Sequence, residues 1–454
     1  MHLRDYQQTA VNDIRGAFAR GTKRVLYTAP TGSGKTVLFA YIARHAAAKG
    51  SRVCVLVHRR ELLLQTCAKL EHAHGCIAPG YHRSQELIQV ATVQTLVRRL
   101  DQYEFDLLVV DEAHHALART YLQVVNASPR ARVLGVTATP SRLDGKGLGD
   151  LFDELLTGPS VQELTDAGYL APAVVYAPST IDTSNVRTVA GDWQKSQLSV
   201  AADRPTITGC AIEHYRRLAD GVPAIAFCVS VAHAQHVAAQ FRAAGYSARC
   251  VDGNTPQADR DGAIAGLARG TLDVLTSCEI ISEGVDVPVV GCGILLRPTK
   301  STSLALQQMG RILRPAPGKK EAVILDHAGN CLRHGLPEED REWTLEAGYK
   351  QRRGESDGVP SVRQCTRCYF VHKTAPQCPQ CGHVYPVQSR EVEQQDGELQ
   401  RLDPEQVRAR REVGRARDRA ALERIAEARG YNPAWVEHIL RARARKREEV
   451  AVCR

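Results

Sequence analysis

The residues whose types and spacing could do chemistry begin with a glycine-rich loop. Residues 29–36 read Ala-Pro-Thr-Gly-Ser-Gly-Lys-Thr and stand between an apolar run at 23–28 and an alanine-rich helical stretch at 37–49. In such a loop backbone amides converge on phosphate oxygens, the lysine reaches the β- and γ-phosphates, and the threonine hydroxyl binds Mg²⁺. The first position, Ala29, departs from the strict pattern, which has glycine there. A loop that binds no nucleotide is the alternative to the predicted ATP and Mg²⁺ site, whose residues would be Thr31, Gly32, Ser33, Gly34, Lys35 and Thr36.

Two adjacent carboxylates follow another apolar run. Asp111 and Glu112 come directly after Leu107–Val110, so they lie at the carboxyl end of a predicted strand, where open α/β sheets bind ligands. Asp111 would hold the Mg²⁺, and Glu112 would orient and deprotonate the attacking water. Acidic residues that merely begin a helix are the alternative. The phosphate loop upstream favours the catalytic interpretation.

Two Cys-x-x-Cys pairs near residue 370 form a third candidate site. Four thiolates so spaced can enclose a tetrahedral Zn²⁺, and a segment this small could scarcely fold without it. A redox role is an alternative, as is replacement of one thiol by His372 or His383. The predicted zinc ligands are Cys365, Cys368, Cys378 and Cys381.

Short apolar runs, separated by helix-compatible segments, must position these residues. Buried parallel strands with crossover helices have this pattern, so the fold class is predicted as α/β with two tandem doubly wound parallel-sheet domains, 1–165 and 170–345. The predicted strands are 23–28, 53–57, 87–91, 107–110 and 133–136 in the first domain, and 224–229, 247–251, 274–276, 292–296 and 322–325 in the second.

The remaining residues divide into smaller parts. A polar linker is predicted at 346–362, the zinc ribbon at 363–386 and a second linker at 387–402. A basic helical tail is predicted at 403–454, whose arginines suit either a solvated helix face or a nucleic-acid contact.

Asp-Glu-Ala-His at 111–114, after a loop of the form Ala-x-x-Gly-x-Gly-Lys-Thr, resembles the superfamily 2 DEAD/DEAH-box helicases, in which alanine at the first loop position is normal. The resemblance covers about residues 1–345 and implies two RecA-like domains that hydrolyse ATP between them. Domain closure would then be required for hydrolysis.

The same resemblance implies roles for residues in matching motifs. Positions 307, 311 and 314 are expected on one helix face, so that all three point into the cleft and two guanidiniums neutralise charge on the γ-phosphate. A solvated basic helix is the alternative for position 314. The implied roles are adenine recognition for Arg4 and Gln7, coupling of nucleotide state to the track for Thr137 and Thr139, a place near the ribose for Gly284 and Asp286, and an arginine-finger motif for Gln307, Arg311 and Arg314.

Nucleic acid would lie across the strand ends of both domains. Aromatic residues make up only 5% of the chain, so a grip on phosphates is expected rather than a platform that stacks bases. An ordinary polar loop is the alternative for each candidate contact, and the candidates are Arg59, Thr92, Gln94, Ser230 and Thr276.

The zinc ribbon, together with Ile-Leu-Asp-His-Ala-Gly-Asn at 324–330 and Gly-Tyr-Asn-Pro-Ala-Trp at 430–435, resembles the RadD-like branch of bacterial and phage helicases. That resemblance implies DNA rather than RNA as the track and DNA repair or phage DNA metabolism as the setting. Repair or single-strand-binding proteins are expected to meet the C-terminal region.

Composition excludes several other classes. The 454 residues are 43% hydrophobic and 24% charged, and no run approaches the roughly 20 apolar residues of a membrane span. Scattered cysteines in the first 331 residues suit a reducing compartment, and the N-terminus lacks the pattern of an export signal. A cytoplasmic monomer is expected, and the net charge of +9 is consistent with a polyanion partner.

These observations predict an ATP-dependent DNA helicase or translocase. One alternative is the motor subunit of a restriction or defence system whose nuclease is another chain. A zinc-dependent nucleic-acid-binding scaffold with a vestigial ATPase is the other, and the intact Lys35, Asp111, Glu112, Arg311 and Arg314 argue against it.

Overall fold

The computed structural model describes residues 2–140, 147–177, 181–189, 191–278, 287–346, 362–385, 412–413, 416, 418–432 and 434–441. Met1–Tyr385 form one compact unit and Pro386–Arg454 a second. Within these described ranges no helix is long and apolar enough to cross a bilayer.

Seven parallel strands form the first sheet, in the order β3-β4-β2-β5-β6-β1-β7. Its central strands β2 and β5 consist mainly of Val and Leu and are buried along their whole length, which is why they read as continuous apolar segments. Helices cover the two faces and close two apolar cores. The elements are α1 (Asp5–Ala19), β1 (Arg24–Thr28), α2 (Lys35–Ala47), β2 (Val53–Val57), α3 (Arg60–Leu70), β3 (Gly75–Ile77), β4 (Ile88–Thr92), α4 (Val93–Leu96), β5 (Leu107–Asp111), α5 (Arg119–Ala127), β6 (Arg132–Thr137), β7 (Glu154–Thr157) and α6 (Val161–Asp166).

Six parallel strands form the second sheet, in the order β12-β13-β11-β14-β15-β8. It too has an apolar core on each face. The elements are β8 (Ala173–Tyr176), a hairpin of β9 (Thr188–Val189) and β10 (Asp192–Trp193), α7 (Lys195–Ala202), α8 (Pro205–Leu218), β11 (Ala224–Phe227), α9 (Val231–Ala243), β12 (Ala248–Val251), α10 (Gln257–Arg269), β13 (Val274–Ser277), β14 (Cys292–Leu295), α11 (Thr302–Ile312), β15 (Ala322–Asp326) and α12 (Asn330–His334).

The pair of parallel-sheet α/β domains predicted from the sequence is confirmed, while the boundaries at 165, 170 and 345 stay predictions. Strands β3, β7 and β8 are not among the predicted strands. Each has three or four residues, lies at the edge of its sheet, and two of them are partly exposed, so none produces a long apolar run.

A small antiparallel pair, β16 (Val362–Gln364) and β17 (Val371–Lys373), flanks the first cysteine pair and precedes the second. It adjoins the edge of the second sheet, because Tyr176 of β8 forms an isolated β-bridge with Phe370. The amide of Ala177 also donates to the carbonyl of Tyr369 at 3.0 Å. The small pair therefore covers the free edge of β8.

The second unit is described only in part. Its helix α13 (Arg419–Arg429) and a helical segment at 434–441 share a small apolar cluster that includes Leu422 and Val436. The described part of the predicted tail thus contains helical segments. Three arginines near the start of the tail have helical spacing, and all three lie outside the described residues: Arg408, Arg411 and Arg415.

Candidate active site

The glycine-rich loop joins β1 to α2 at the carboxyl edge of the first sheet. Gly32 and Gly34 have φ angles of +91° and +77°, values that residues with a Cβ rarely adopt. Gly34 is also the residue that precedes the first turn of α2, where the free amides and the positive end of the helix dipole lie. The loop therefore has the backbone form of a phosphate cradle.

Helix α1 braces this loop from one side. Gln7 is buried, and its Nε2 donates to the carbonyls of Ser33 and Gly34 at 3.2 and 3.3 Å. Its Oε1 accepts from the amide of Arg4 at 3.0 Å, and the Tyr6 hydroxyl donates to the Ser33 carbonyl at 2.6 Å. Of the two residues predicted to read adenine, Gln7 thus touches the loop backbone directly, while Arg4 contacts Gln7 and Tyr6.

Lys35 lies among four charged groups. Its Nζ donates to the carbonyls of Ala29 and Pro30 at 2.8 and 3.1 Å. Burial lowers the pKa of Lys35, and nearby charges act on it in both directions. Two carboxylates from its own domain raise the pKa and two guanidiniums from the second domain lower it; these are Glu112, Asp111, Arg314 and Arg311.

Asp111 ends β5 and Glu112 follows it, and β5 is separated from β1 only by β6. Burial raises the pKa of Asp111, and the adjacent Glu112 raises it further while Lys35 opposes them. Glu112 has a φ of +49°, a conformation that costs free energy in a residue with a side chain and persists where the surroundings impose it, often at active sites. The two adjacent carboxylates repel each other, so a cation bound beside them would stabilise their charged forms.

Helix α11 brings the second domain against the loop. A Cβ built on Gly310 would lie 2.6 Å from Cβ of Thr31, and one on Gly32 would lie 3.4 Å from Cγ of Arg314. Arg311 is buried, with 9% of its surface exposed, and Gln307 on the same helix is buried as well. Residues of the two domains that are far apart in the sequence therefore line one cleft.

One expectation for this helix is wrong. Helix α11 ends at Ile312, so Arg314 does not share a helix face with Gln307 and Arg311. Arg314 precedes Pro315, and the residue before a proline is disfavoured in the α conformation. Arg314 still reaches the loop, but from the turn that follows the helix.

Comparison with known proteins adds sequence relatives to this geometry. A family model described as the res subunit of type III restriction enzymes matches residues 1–142, and one described as the helicase conserved C-terminal domain matches residues 210–316. A 51.5 kDa protein of a Lactococcus phage (isolate 7-9) is 34% identical over 384 residues, which are 84% of this chain and 82% of that protein.

IRC3 of Saccharomyces cerevisiae, described as an ATP-dependent helicase, is 32% identical over 358 residues. The match covers 72% of this chain and 51% of IRC3. The chain belongs to the superfamily 2 helicases. It spans about half the length of IRC3, and 59% of the related fission-yeast protein.

A solved fragment described as the HsdR subunit of a type I restriction enzyme from Vibrio vulnificus YJ016 shares the fold of this helicase, with a TM-score of 0.59 and 24% identity. The likeness covers 74% of this chain and 68% of the fragment. Membership of this superfamily makes the chain an ATP-hydrolysing helicase or translocase.

A row of polar contacts runs from Glu112 of the helicase to its second domain. Glu112 Oε2 lies 3.4 Å from Nδ1 of His114, which is 3.2 Å from the hydroxyl of Thr137. That hydroxyl donates to the carbonyl of Thr139 at 2.9 Å, and the Thr139 hydroxyl donates to that of Ser303 at the start of α11. Of the two predicted coupling threonines, Thr139 therefore contacts the second domain, and Thr137 contacts Thr139.

The predicted nucleic-acid residues of the helicase differ in accessibility. Thr276 is fully buried and its hydroxyl donates to the carbonyl of Ala234 at 2.7 Å, so it does not face solvent. Thr92 is also buried, with its hydroxyl 2.9 Å from that of Thr95.

The other three predicted contacts reach the surface at least in part. Gln94 is exposed, and Arg59 is half-buried at the start of α3. Ser230 begins α9, where its hydroxyl accepts from the amide of His233 and lies 2.7 Å from that of Ser199. Gly284 and Asp286, predicted near the ribose, lie outside the described residues.

The four predicted zinc cysteines of the helicase converge. Each offers an Sγ within 4.8 Å of the other three, and the closest pairs are Cys365 with Cys381 at 3.6 Å and Cys368 with Cys378 at 3.8 Å. These distances are those of thiolates around one tetrahedral ion. The cluster fits a metal such as Zn²⁺.

The sequence did not indicate several residues that contact the site or link the domains. Cζ of Arg4 lies over the ring of Tyr169, 4.3 Å from the ring centroid. The ring centroids of Tyr169 and Tyr6 are 5.4 Å apart. Arg260 of α10 pairs with Glu61 of α3 at 2.9 Å. The only signal for Tyr169 was its place beside a glycine in the segment between the domains.

Proposed function

We propose that this helicase couples ATP hydrolysis, in the cleft between its two sheets, to movement on DNA. The observation that supports it best is the shared environment of Lys35, which is influenced by carboxylates of the first domain and guanidiniums of the second. Such an arrangement is complete only when the domains meet. Hydrolysis and product release would then alternately close and open the cleft.

Each charged group has a proposed role. Lys35 would hold the β- and γ-phosphates, and Glu112 would orient the attacking water and take its proton. Arg311 and Arg314 would neutralise the charge that develops on the γ-phosphate. Thr36 and Asp111 offer the oxygen ligands that Mg²⁺ prefers, and the ion would neutralise phosphate charge.

Glu112→Gln tests the motor. The amide keeps the shape of the side chain but cannot accept the proton, so turnover should vanish while ATP still binds. Turnover should be measured without nucleic acid and with single-stranded DNA, duplex DNA, forked DNA and RNA in parallel. Retained turnover in the variant would remove Glu112 from its role, and equal stimulation by RNA would contradict the choice of DNA.

Arg311→Ala is the companion variant from the other domain. It removes a positive charge that is used mainly in the transition state, so hydrolysis should slow by orders of magnitude while ATP affinity changes little. Equal losses of rate and affinity would instead indicate a ground-state contact. Lys320→Ala, which removes an exposed positive charge six residues after Arg314, is a charge-matched control.

DNA as the track rests on three observations. The chain carries a net charge of +9, its sequence resembles the RadD-like branch, and a fold relative, the type ISP enzyme LlaBIII, was solved bound to DNA. A phosphate grip predicts an affinity that falls steeply with salt. We further propose that the protein is a cytoplasmic monomer that acts in DNA repair or phage DNA metabolism. Light scattering would test the monomer, and a deletion strain exposed to DNA damage would test the role in repair.

The four-cysteine cluster is proposed to hold one Zn²⁺ that folds the ribbon at 362–385. Structural zinc contributes folding free energy directly in segments of this size. A strong chelator should unfold the ribbon, seen as a gain in protease cleavage there, while both sheets keep their circular dichroism. A ribbon that stays resistant without metal would contradict a structural role for zinc.

A restriction motor is the second candidate function. It is favoured by the family model matched to residues 1–142 and by the fold shared with the HsdR fragment. Such a motor would work with a nuclease on another chain. Co-purification of a nuclease from the native host, or a nuclease gene beside this one, would favour this candidate over a repair helicase.

A further inference from the structure

A second group of metal-ligating side chains lies in the first domain, away from the ATP cleft. Cys67 is in the last turns of α3, and His74 and Cys76 are on the chain that returns as β3. Their ligand atoms all lie within 4.8 Å of one another, and the two sulfurs are 3.5 Å apart.

The local fold explains why these residues converge. Helix α3 ends at Leu70, and Glu71 adopts a φ of +47° that reverses the chain. His74 and Cys76 are two positions apart in an extended segment, so their side chains share a face, and that face is turned toward Cys67.

Packing fixes this segment in place. Gly75, between the histidine and the cysteine, lies so close to its neighbours that a Cβ on it would be 2.3 Å from Oε1 of Gln89 and 2.5 Å from Cβ of Ser84. Only glycine fits there. The two flanking ligands are therefore held by close packing around Gly75 that does not depend on a metal.

The imidazole is oriented as a ligand requires. Nδ1 of His74 lies 2.7 Å from the carbonyl of His72, and because a carbonyl only accepts, Nδ1 carries the proton. The lone pair is then on Nε2, which is free to bind a metal. In metal-bound histidines the other ring nitrogen usually donates a hydrogen bond to a carbonyl or a carboxylate, as Nδ1 does here.

The sulfur spacing distinguishes a metal from a covalent bond. Two thiolates at about 2.3 Å from one tetrahedral Zn²⁺ lie roughly 3.8 Å apart, close to the 3.5 Å observed here. A disulfide requires about 2.05 Å. Two thiolates and an imidazole are also a ligand set that suits Zn²⁺ rather than Mg²⁺ or Ca²⁺.

We propose that Cys67, His74 and Cys76 bind one Zn²⁺, separate from the four-cysteine cluster, with water as the fourth ligand. Among the residues that the structure describes, no fourth His, Cys, Asp or Glu belongs to this group. Binding releases the two thiol protons to solvent. The ion cross-links the end of α3 to the edge strand β3, while the first turn of α3 carries Glu61, which pairs with Arg260 of the second domain.

Zinc counting on the full chain tests this site. Protein purified in reductant, equilibrated with zinc sulfate and desalted, should carry two zinc ions per chain by native mass spectrometry. Cys67→Ser and Cys76→Ser should each carry one, and so should Cys378→Ser. Cys210→Ser, which alters a half-buried thiol outside both clusters, should keep two.

A rescue variant and cobalt substitution guard against misfolding. His74→Cys supplies a third thiolate and should keep both ions, whereas His74→Ala should lose one. Co²⁺ added to Cys365→Ser/Cys368→Ser should give a tetrahedral spectrum with sulfur-to-cobalt charge transfer, which disappears on adding Cys67→Ser. One zinc per wild-type chain, unchanged by Cys67→Ser, would overturn the proposal, as would a Cys67–Cys76 disulfide in the reduced protein.

Discussion

Replacing Gly310 by alanine should separate the two sides of the ATP cleft without altering any charged group. The new Cβ would lie 2.6 Å from Cβ of Thr31, and ordinary Cβ contacts begin at 3.4 Å. Because the Thr31 Cβ is fixed to its backbone, the loop and α11 must move apart by about 0.8 Å. A misplacement of about 1 Å costs on the order of 10²-fold in rate, which corresponds to about 2.7 kcal/mol of transition-state stabilisation.

Steady-state ATP turnover with saturating single-stranded DNA measures this effect, and a fluorescent ATP analogue measures binding. We expect the kcat of Gly310→Ala to fall roughly 100-fold while analogue affinity changes only a few-fold, since the first domain supplies the phosphate cradle. Gly262→Ala on α10 is the matched control, because nothing lies within 4 Å of its Cβ. Wild-type turnover in Gly310→Ala, or an equal loss in both variants, would refute the closed cleft as the hydrolytic state.

Three further predictions concern contacts around the cleft and buried groups. Ser303→Ala leaves the buried Thr139 hydroxyl without its acceptor, a cost of about 1–3 kcal/mol, so stimulation of ATP turnover by DNA should fall while basal turnover persists; an unchanged stimulation ratio would contradict coupling through this contact. Glu61→Arg and Arg260→Glu should each weaken DNA-stimulated turnover a few-fold, and the double variant should recover it, as a partly exposed pair worth about 0.5–1 kcal/mol would. Burial lowers the pKa of His327 to about 3, so between this pH and pH 6.5 the unfolded chain binds a proton that the native chain does not. The free energy of unfolding should therefore be fully present above pH 6.5 and fall by up to about 1.4 kcal/mol per pH unit below it. Thermal melts of His327→Gln should show a smaller loss of stability in acid.

Much of the fold could be predicted because its strands are buried on both faces. Val53–Val57 and Leu107–Asp111 are central strands, and such strands appear as uninterrupted apolar runs. The loop at 29–36 and the carboxylates at the end of β5 were recognisable for a related reason, since ligands gather where parallel strands end. The family and the ATP-dependent activity are confirmed, whereas the individual catalytic roles stay predictions.

Contacts between polar residues that are distant in sequence could not be predicted. Thr139 and Ser303 are separated by 164 positions, and periodicity indicates which face of a helix is apolar, not which hydroxyl meets which. Thr276 was expected at the surface because it ends a strand, yet its hydroxyl satisfies a carbonyl in the core. The position of Arg314 was foreseeable, because the following proline was visible in the sequence.

The ribbon's place beside β8 has a consequence for handling the protein. Edge strands with unpaired amides and carbonyls are templates for other chains, and here the bridge between Tyr176 and Phe370 occupies that position. Removal of the proposed zinc would therefore expose this edge to pairing with other chains. Samples stored in chelating buffer should accumulate soluble oligomers joined edge to edge, and restoring zinc before concentration should keep them monodisperse.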